Sequence, residues 1–267
     1  MNFDGLTTVY TTWSKWKENL DAIELVPSPD LFSALRLVKS ESEIALIRRS
    51  CSLADACFDR VKRLIQPGVT EMEIALEIEF YFRKQGAEIA FPSIVVSGER
   101  SARPHGKPSD KPLEVGDFVT MDFGSKLDGY CSDITRTVVV GEASDRHREI
   151  YGLVLESQLE ALRTIRAGVQ AKDVDAAARK VLAKGDLAQY FTHGLGHGLG
   201  RVVHDTGRLS ATSTDVVEVG QIWTIEPGVY IPGFGGVRIE DDILITADGI
   251  EILTHSPKDL LVLPAPE

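Results

Sequence analysis

Two groups of residues in this chain have the types and spacing for chemistry: acids set in apolar, strand-like runs, and histidines gathered in one glycine-rich segment. In "VTMDFG", strand alternation puts Thr120 and Asp122 on one face and Val119, Met121 and Phe123 on the other. In "IWTIEPG" the same alternation pairs Thr224 with Glu226. Asp133 follows in "CSDITRT" and Glu240 in "VRIEDD". Taken singly, each acid reads as an edge residue, a turn former or half of a salt bridge. Placed alike in two similar stretches, the four imply one symmetric site. Acids crowded together out of water need either strongly raised pKa values or a cation that neutralises them. Two divalent ions balance four carboxylates. Oxygen ligands outnumber nitrogen and sulfur is absent, which suits a hard or borderline ion, Mn²⁺ first and Co²⁺ next, better than a structural Zn²⁺.

The segment "THGLGHGLGRVVHD", residues 192–205, holds His193, His197 and His204, three of the chain's six histidines. On residue types alone, each is open as a ligand, a pocket residue or a satisfied core histidine. The glycines resemble a phosphate loop only superficially, because no Lys-Ser/Thr follows them. They are expected to let the backbone pass close to a bound metal. His105 sits in the loop-like "SGERSARPHGKPSD"; His147 and His255 are expected at the surface.

Helices and strands recur in an order that would bring these groups together. "SESEIALIRRSCSLADACFDRVKRLI" opens with a Ser-x-x-Glu start and spaces Ile44, Ile47, Leu53, Cys57, Val61 and Leu64 as a helix does. A second helix, "TEMEIALEIEFYFRKQG", ends at Gly86. The strands "DFVTMDFG" and "ITRTVVVG" follow, joined through a "DGY" turn. Two more helices, "SDRHREIYGLVLESQLEALRTIR" and "AKDVDAAARKVLAKG", then lead to the strands "QIWTIEPGVYI" and "VRIEDDILIT". "IQPGVTEMEI" aligns with "IRAGVQAKDV", setting Gly68 against Gly168, and "LEVGDFVTMDFG" aligns with "VEVGQIWTIEPG", setting Gly116 against Gly220. The order and the nearly equal offsets predict two related halves, about 40–141 and 145–253, rather than a solenoid of short repeats. Residues 1–35 show no sustained period and are expected to form a strand or loop leader too short to be a domain. Residues 36–267 are expected to form the catalytic domain.

With 267 residues, 43% hydrophobic and 26% charged, the chain can bury a sizeable core. A net charge of −11 argues against nucleic acid or an anionic membrane as the main partner, since both need a basic footprint. Cys51, Cys57 and Cys131 form no CxxC and are odd in number, which suggests a reducing compartment and no disulfide framework. No signal-peptide pattern and no apolar run of membrane-spanning length occur, so a cytoplasmic location is expected.

"MDFGSKLDGYCSDITRT", "HGLGHGLG", "WTIEPGVY" and "GGVRIEDD" together resemble the motifs of the pita-bread metallopeptidases, in particular the proline-specific branch of Xaa-Pro dipeptidases (prolidases) and Xaa-Pro aminopeptidases. The likeness runs from about Arg36 to Leu261. It implies an α+β, pseudo-twofold pita-bread (creatinase/aminopeptidase) fold with a curved, antiparallel-rich sheet flanked by helices. It implies that Asp122, Asp133, His197, Glu226 and Glu240 bind two divalent metal ions, with Asp133 and Glu240 bridging; Mn is favoured, with Co or Zn as alternatives. His193, His204 and His105 then stand near the substrate, His204 as a donor to the oxyanion. Glu226 is the expected proton acceptor. Arg238 is expected to orient Glu240, pair with Tyr230 or meet a substrate carboxylate.

The implied substrate is a small peptide with proline at the second position, and the implied assembly is a homodimer. A bond before proline has no N–H, so a site that needs no such donor and offers an apolar pocket accepts it. Phe91, the "ARPHG" loop and Arg201 are candidates for that pocket or for a free carboxylate. Full-length members carry an N-terminal domain of about a hundred residues or more. At most residues 1–35 precede the likeness here, so an open cleft admitting longer peptides is expected. Methionine aminopeptidases share the fold, but "RPHGKPSD" and "GGVRIEDD" resemble the proline-specific branch. A metal-free amidinohydrolase resembling creatinase and a non-catalytic binding module are the alternatives from other classes; the complete ligand set favours the peptidase. Asp242 falls outside the ligand positions and is expected to be replaceable without loss of metal.

Overall fold

The computed structural model describes residues 1–5, 7–28 and 33–264. Residues 6 and 29–32 of the expected leader, and 265–267 of the expected catalytic domain, lie outside the described residues. The leader is more structured than its sequence suggests. Strands β1 (Asn2–Phe3) and β2 (Val26–Pro27) pair in parallel around helix α1 (Tyr10–Asn19). Phe3 meets Trp16 edge-on, and Lys17 lies over Trp13. These few aromatic contacts fix a helix that has no buried residue and no apolar stripe to announce it. A short helix, α2 (Ser33–Leu37), leads into the main body.

Capping sets the starts of the long helices. α3 (Glu41–Val61) begins at a capping box in which Ser40 Oγ accepts from Glu43 N and Glu43 Oε2 accepts from Ser40 N. Thr70 and Glu73 do the same for α4 (Glu71–Lys84), and Gly86 follows with φ 79°. α3 buries Ile44, Ile47, Cys57 and Val61 as the spacing predicts, whereas Leu64 lies past the helix end and is exposed. Strands β3 (Glu88–Ile89), β4 (Ile94–Ser97), β5 (Phe118–Phe123), β6 (Ser125–Leu127), β7 (Tyr130–Cys131) and β8 (Ile134–Val140) follow. α5 (Asp145–Thr164) and α6 (Ala171–Ala183) open the second stretch. His147 completes the α5 capping box with Ser144 and packs between Phe118 and Phe234, so it is half-buried rather than a free surface residue.

The second set of strands is β9 (Gly196–Gly198), β10 (Asp205–Leu209), β11 (Ile222–Ile225), β12 (Gly228–Ile231), β13 (Gly235–Arg238), β14 (Asp241–Thr246), β15 (Gly249–Ile252) and β16 (Val262–Leu263). "QIWTIEPGVYI" and "VRIEDDILIT", each expected as one strand, are each two. Pro227 has no N–H to continue the ladder after β11, and Glu240 N turns away to Thr135 O. β12 and β13 form a separate antiparallel pair.

Backbone pairing gives a four-stranded sheet, β16-β8-β5-β4, and a five-stranded sheet, β10-β9-β11-β14-β15, in both of which all but the β16–β8 pair is antiparallel. Mixed helices and antiparallel-rich sheets are what the resemblance implies. Each sheet has its own helix pair. Phe58, Ile74, Ile78 and Phe82 of α3 and α4 pack with Val119, Met121 and Phe123 of β5, the face assigned by alternation. Val154, Ala161, Val174 and Ala178 of α5 and α6 pack with Trp223, Ile225 and Ile243. Each fully buried large apolar side chain here stabilises the fold by about 1.5–3 kcal/mol, so both sheets are firm platforms for the acids on their opposite faces.

The two aligned segments share local geometry. Gly68 N donates to Leu113 O and Gly168 N to Val217 O; Leu113 N returns to Val69 O and Val217 N to Val169 O. Gly68 and Gly168 have φ of 91° and 87°, Gly116 and Gly220 of 90° and 86°, values that favour glycine.

Candidate active site

Where the two sheets meet, a cavity of about 500 Å³ opens. Asp122 at the end of β5, Asp133 just before β8, His197 in β9, Glu226 just after β11 and Glu240 just before β14 all line it. So do His105, His193, His204, Tyr230 and Arg238. All five expected metal ligands and the five other residues expected to act on or hold the substrate therefore border one space.

The acids sit in different surroundings. Asp122 Oδ2 accepts from Arg238 Nη2 at 2.6 Å, Glu226 Oε1 from Thr224 Oγ1 at 3.2 Å, and Glu240 Oε2 from Thr135 Oγ1 at 2.6 Å. Asp133, His197 and Glu240 offer side-chain atoms that all lie within 4.8 Å of one another. His197 Nδ1 pairs with Gly198 O at 3.1 Å, which places the ring proton there and turns the Nε2 lone pair toward Asp133 (3.6 Å) and Glu226 (3.4 Å). Asp122 Oδ1, Asp133 Oδ1 and Glu240 Oε1 are buried with no hydrogen-bond partner. Carboxylate oxygens left without donors beside an imidazole lone pair fit a cation.

Charge crowding points the same way. Burial, followed by the neighbouring Glu240 and Asp122, holds the Asp133 carboxyl well above its ordinary range. Glu240 is raised by burial and then by Glu226 and Asp122. Burial pushes Glu226 up to about 8, against the pull of Arg238. His197 is pushed down to about 3 and His193 to about 4, in both cases mainly by burial. Both imidazoles are neutral at physiological pH, as a ligand or a neutral hydrogen-bonding group requires.

Arg238 is not free to meet a substrate bidentately. It is 3% exposed. Its Nη1 donates to Tyr230 Oη at 2.7 Å, Nη2 to Asp122, and Nε to Thr135 Oγ1 at 3.0 Å, through which it reaches Glu240. Tyr230 Oη also pairs with His193 Nε2 at 2.7 Å. Arg201, the other cationic candidate, is exposed over the Tyr130 ring and does not border the cavity. Arg208 borders it instead. Its place follows from the register: β10 bulges between Asp205 and Arg208, which sets Arg208 opposite His197. Nothing local in "HDTGRLS" signals that bulge. Phe91, Ile94, Pro104 and Val203 supply apolar lining, which includes two of the residues expected for a proline pocket.

The glycines of "HGLGHGLG" serve strand packing. A Cβ at Gly196 would lie 2.0 Å from Thr224 O, and one at Gly198 1.8 Å from Thr206 O. The close approach is thus to β11 and β10. His197 N donates to Thr224 Oγ1, the hydroxyl that also holds Glu226, so one threonine orients two cavity residues. His204 stacks edge-on against His197 with centroids 4.3 Å apart and is exposed toward the cavity mouth. Asp242, expected to be inert, is fully buried; its Oδ2 accepts from Asp133 N at 2.8 Å and from Cys51 Sγ at 3.3 Å. It supports the cluster from behind. Thr135 and Asp242 were both legible as strand residues, yet only the inter-sheet contact gives them this role.

Residues 45–247 match the model of metallopeptidase family M24. The chain belongs to that family. Membership implies divalent metal binding, which the cluster of Asp133, His197 and Glu240 can provide. The chain is 41% identical to a Xaa-Pro dipeptidase of Pyrococcus furiosus, over 96% of this chain and 74% of that protein. Among solved structures it resembles a Xaa-Pro dipeptidase from Bacillus anthracis, with a TM-score of 0.96 and 47% identity over 98% of this chain and 74% of the other. It also resembles an X-Pro aminopeptidase from Thermotoga maritima, with a TM-score of 0.92 and 37% identity over 98% and 74%. Among the described residues, no helix is long and apolar enough to cross a membrane, and the three cysteines are buried and unpaired.

Proposed function

We propose that this M24 metallopeptidase is an exopeptidase that hydrolyses the Xaa-Pro bond with two divalent ions, Mn²⁺ first, held by Asp122, Asp133, His197, Glu226 and Glu240, and that Xaa-Pro dipeptides are its better substrates. The observation that carries the reading is the set of orphaned carboxylate oxygens of Asp122, Asp133 and Glu240 around a neutral His197. The chemistry such a bound pair supplies is Lewis acidity toward water and toward a peptide carbonyl. Glu226, one of the proposed ligands bordering the cavity, accepts the proton of the attacking water and passes it to the leaving nitrogen. His204 at the cavity mouth donates to the developing oxyanion. Arg238 and Tyr230 hold Asp122 and His193 in place.

The proline-specific relatives and the apolar lining by Phe91, Ile94 and Pro104 support a proline ring in the cavity. Arg208 supports the dipeptide reading: only its Nη1 is engaged among the described residues, leaving a cation for a free carboxylate. The Thermotoga relative keeps the aminopeptidase reading as the alternative. The matching local geometry around Gly68 and Gly168 supports two related halves, and the reduced cysteines support a cytoplasmic location. A homodimer completes the proposal. Product analysis with Ala-Pro, Ala-Pro-Ala and longer chains in Mn²⁺ tests it. The dipeptide should be cleaved best and tripeptides detectably; Arg208→Ala should raise KM for Ala-Pro and leave Ala-Pro-Ala little changed. Inertness toward all of them with ions bound would end the proline reading.

A further inference from the structure

One buried carboxylate outside the cavity lining has no place in the chemistry above. Glu71, the first residue of α4, is 0% exposed. Its Oε1 accepts from Ser97 N at 2.7 Å and Ser97 Oγ at 3.0 Å; its Oε2 accepts from Ser109 N at 3.1 Å and Ser109 Oγ at 2.7 Å. Arg100 Nε bridges both oxygens at 3.2 and 3.1 Å, and Arg100 Nη2 donates to Lys107 O. A single side chain thus ties both ends of residues 97–109, the loop that brings Pro104 and His105 to the cavity. The middle of the loop is fixed separately, by Gly236 N on Ser101 Oγ and by Arg238 Nη1 on Pro104 O.

We infer that Glu71 is a positioning residue for substrate binding, acting through His105 by clamping the ends of this loop. A carboxylate at a helix N-terminus is stabilising in its own right, but that role asks for no loop donors. Here five N–H and O–H groups from the loop converge on two oxygens. The aligned position in the other stretch, Ala171, carries no carboxylate. There the task falls to Asp175, one turn into α6, which accepts from Leu195 N, while its partner Arg179 donates to Phe191 O and His193 O. Each helix pair therefore carries one buried acid that, with an arginine from the loop itself (Arg100) or from the same helix (Arg179), seats a histidine-bearing segment at the cavity.

The inference rests on the peptidase reading for its kinetic arm only. Glu71→Gln keeps size but puts an NH₂ donor against loop donors. Hydrogen exchange of amides 97–109 should quicken at least tenfold, and exchange in β5 and β8 should stay as in the wild type. With Mn²⁺ content unchanged, KM for Ala-Pro should rise about five- to twentyfold with kcat within twofold. Combined with His105→Ala, the two effects on kcat/KM should be less than additive, because both act through one histidine. Unchanged loop exchange, or additive effects in the double variant, would overturn the inference. Should Glu71→Gln fail to fold, Ser97→Ala with Ser109→Ala removes two donors and leaves the carboxylate in place, and the same outcomes apply. Loop exchange needs no substrate, so a wild type inert toward Ala-Pro would sink the peptidase reading and leave the clamp to be judged on exchange alone.

Discussion

The backbone N–H of Asp133 donates to the side chain of Asp242 across 2.8 Å, joining the strand that leads into one sheet to a strand of the other. Asp242 Oδ1 is itself buried without a partner, and Cys51 is the second donor to Oδ2. The acid therefore fixes where Asp133 can present its own carboxylate. Asp242→Ala should weaken metal binding by about 10- to 100-fold, the usual effect of removing a group that orients a ligand. Asp242→Asn keeps an acceptor for Asp133 N and should do less. Titration calorimetry with Mn²⁺ on the stripped protein decides this; unchanged affinity in the alanine variant would restore Asp242 to the inert role its sequence suggests.

Asp133→Ala removes a proposed bridging carboxylate and should abolish turnover with loss of half the bound metal or more, read by elemental analysis. His197→Ala should also lose metal. Full metal content and normal turnover in the Asp133 variant would show that the cluster has been wrongly assigned.

Metal binding should release protons. Glu226 titrates near 8 in the folded protein against an ordinary value of 4.5, and Asp133 and Glu240 are raised as well, so at pH 7 the stripped site holds protons that cations must displace. Between these values the folded stripped protein keeps a proton that the unfolded chain has lost. Its stability is therefore highest below about pH 4.5 and falls as pH rises toward 8 as far as these groups are concerned. Added metal reverses the loss, by about 2.7 kcal/mol at a free concentration a hundredfold above Kd. Calorimetry at pH 7 in buffers of different ionisation heat should report at least one proton released, and the gap between metal-bound and stripped melting temperatures should widen from pH 5 to pH 8. No buffer dependence of the binding heat would count against protonated acids in the empty site.

His204→Ala should retain the metals and lose turnover by a factor of roughly 10² to 10³, the cost of deleting one oxyanion donor. Loss of metal in that variant would instead make its contact with His197 a structural support for the ligand.

Much of this could be read from one dimension. Alternation placed Asp122 and Glu226 opposite the apolar residues that fill the cores, because a pleated strand has only two faces and one of them was filled with Val, Met, Phe, Ile and Trp. Capping pairs such as Ser40 with Glu43 fixed helix starts through contacts three residues apart. The aligned glycines Gly68, Gly168, Gly116 and Gly220 all take positive φ. The likeness of the two stretches brought four acids to one site and the family resemblance added His105, His193, His197 and His204; all eight line the cavity. What the chain did not disclose depends on pairing between strands, for Asp242 and Arg238 with partners more than a hundred residues distant. Asp242 becomes a support only where β14 meets the turn before β8, Arg238 is consumed by Asp122 and Thr135, and Arg208 rather than Arg201 reaches the cavity because β10 bulges against β9. Local sequence sets a residue's face and its neighbours within a turn; which buried donor meets which acceptor between two sheets is set by their packing, and it is there that the unpartnered oxygens and raised acids of this site arise.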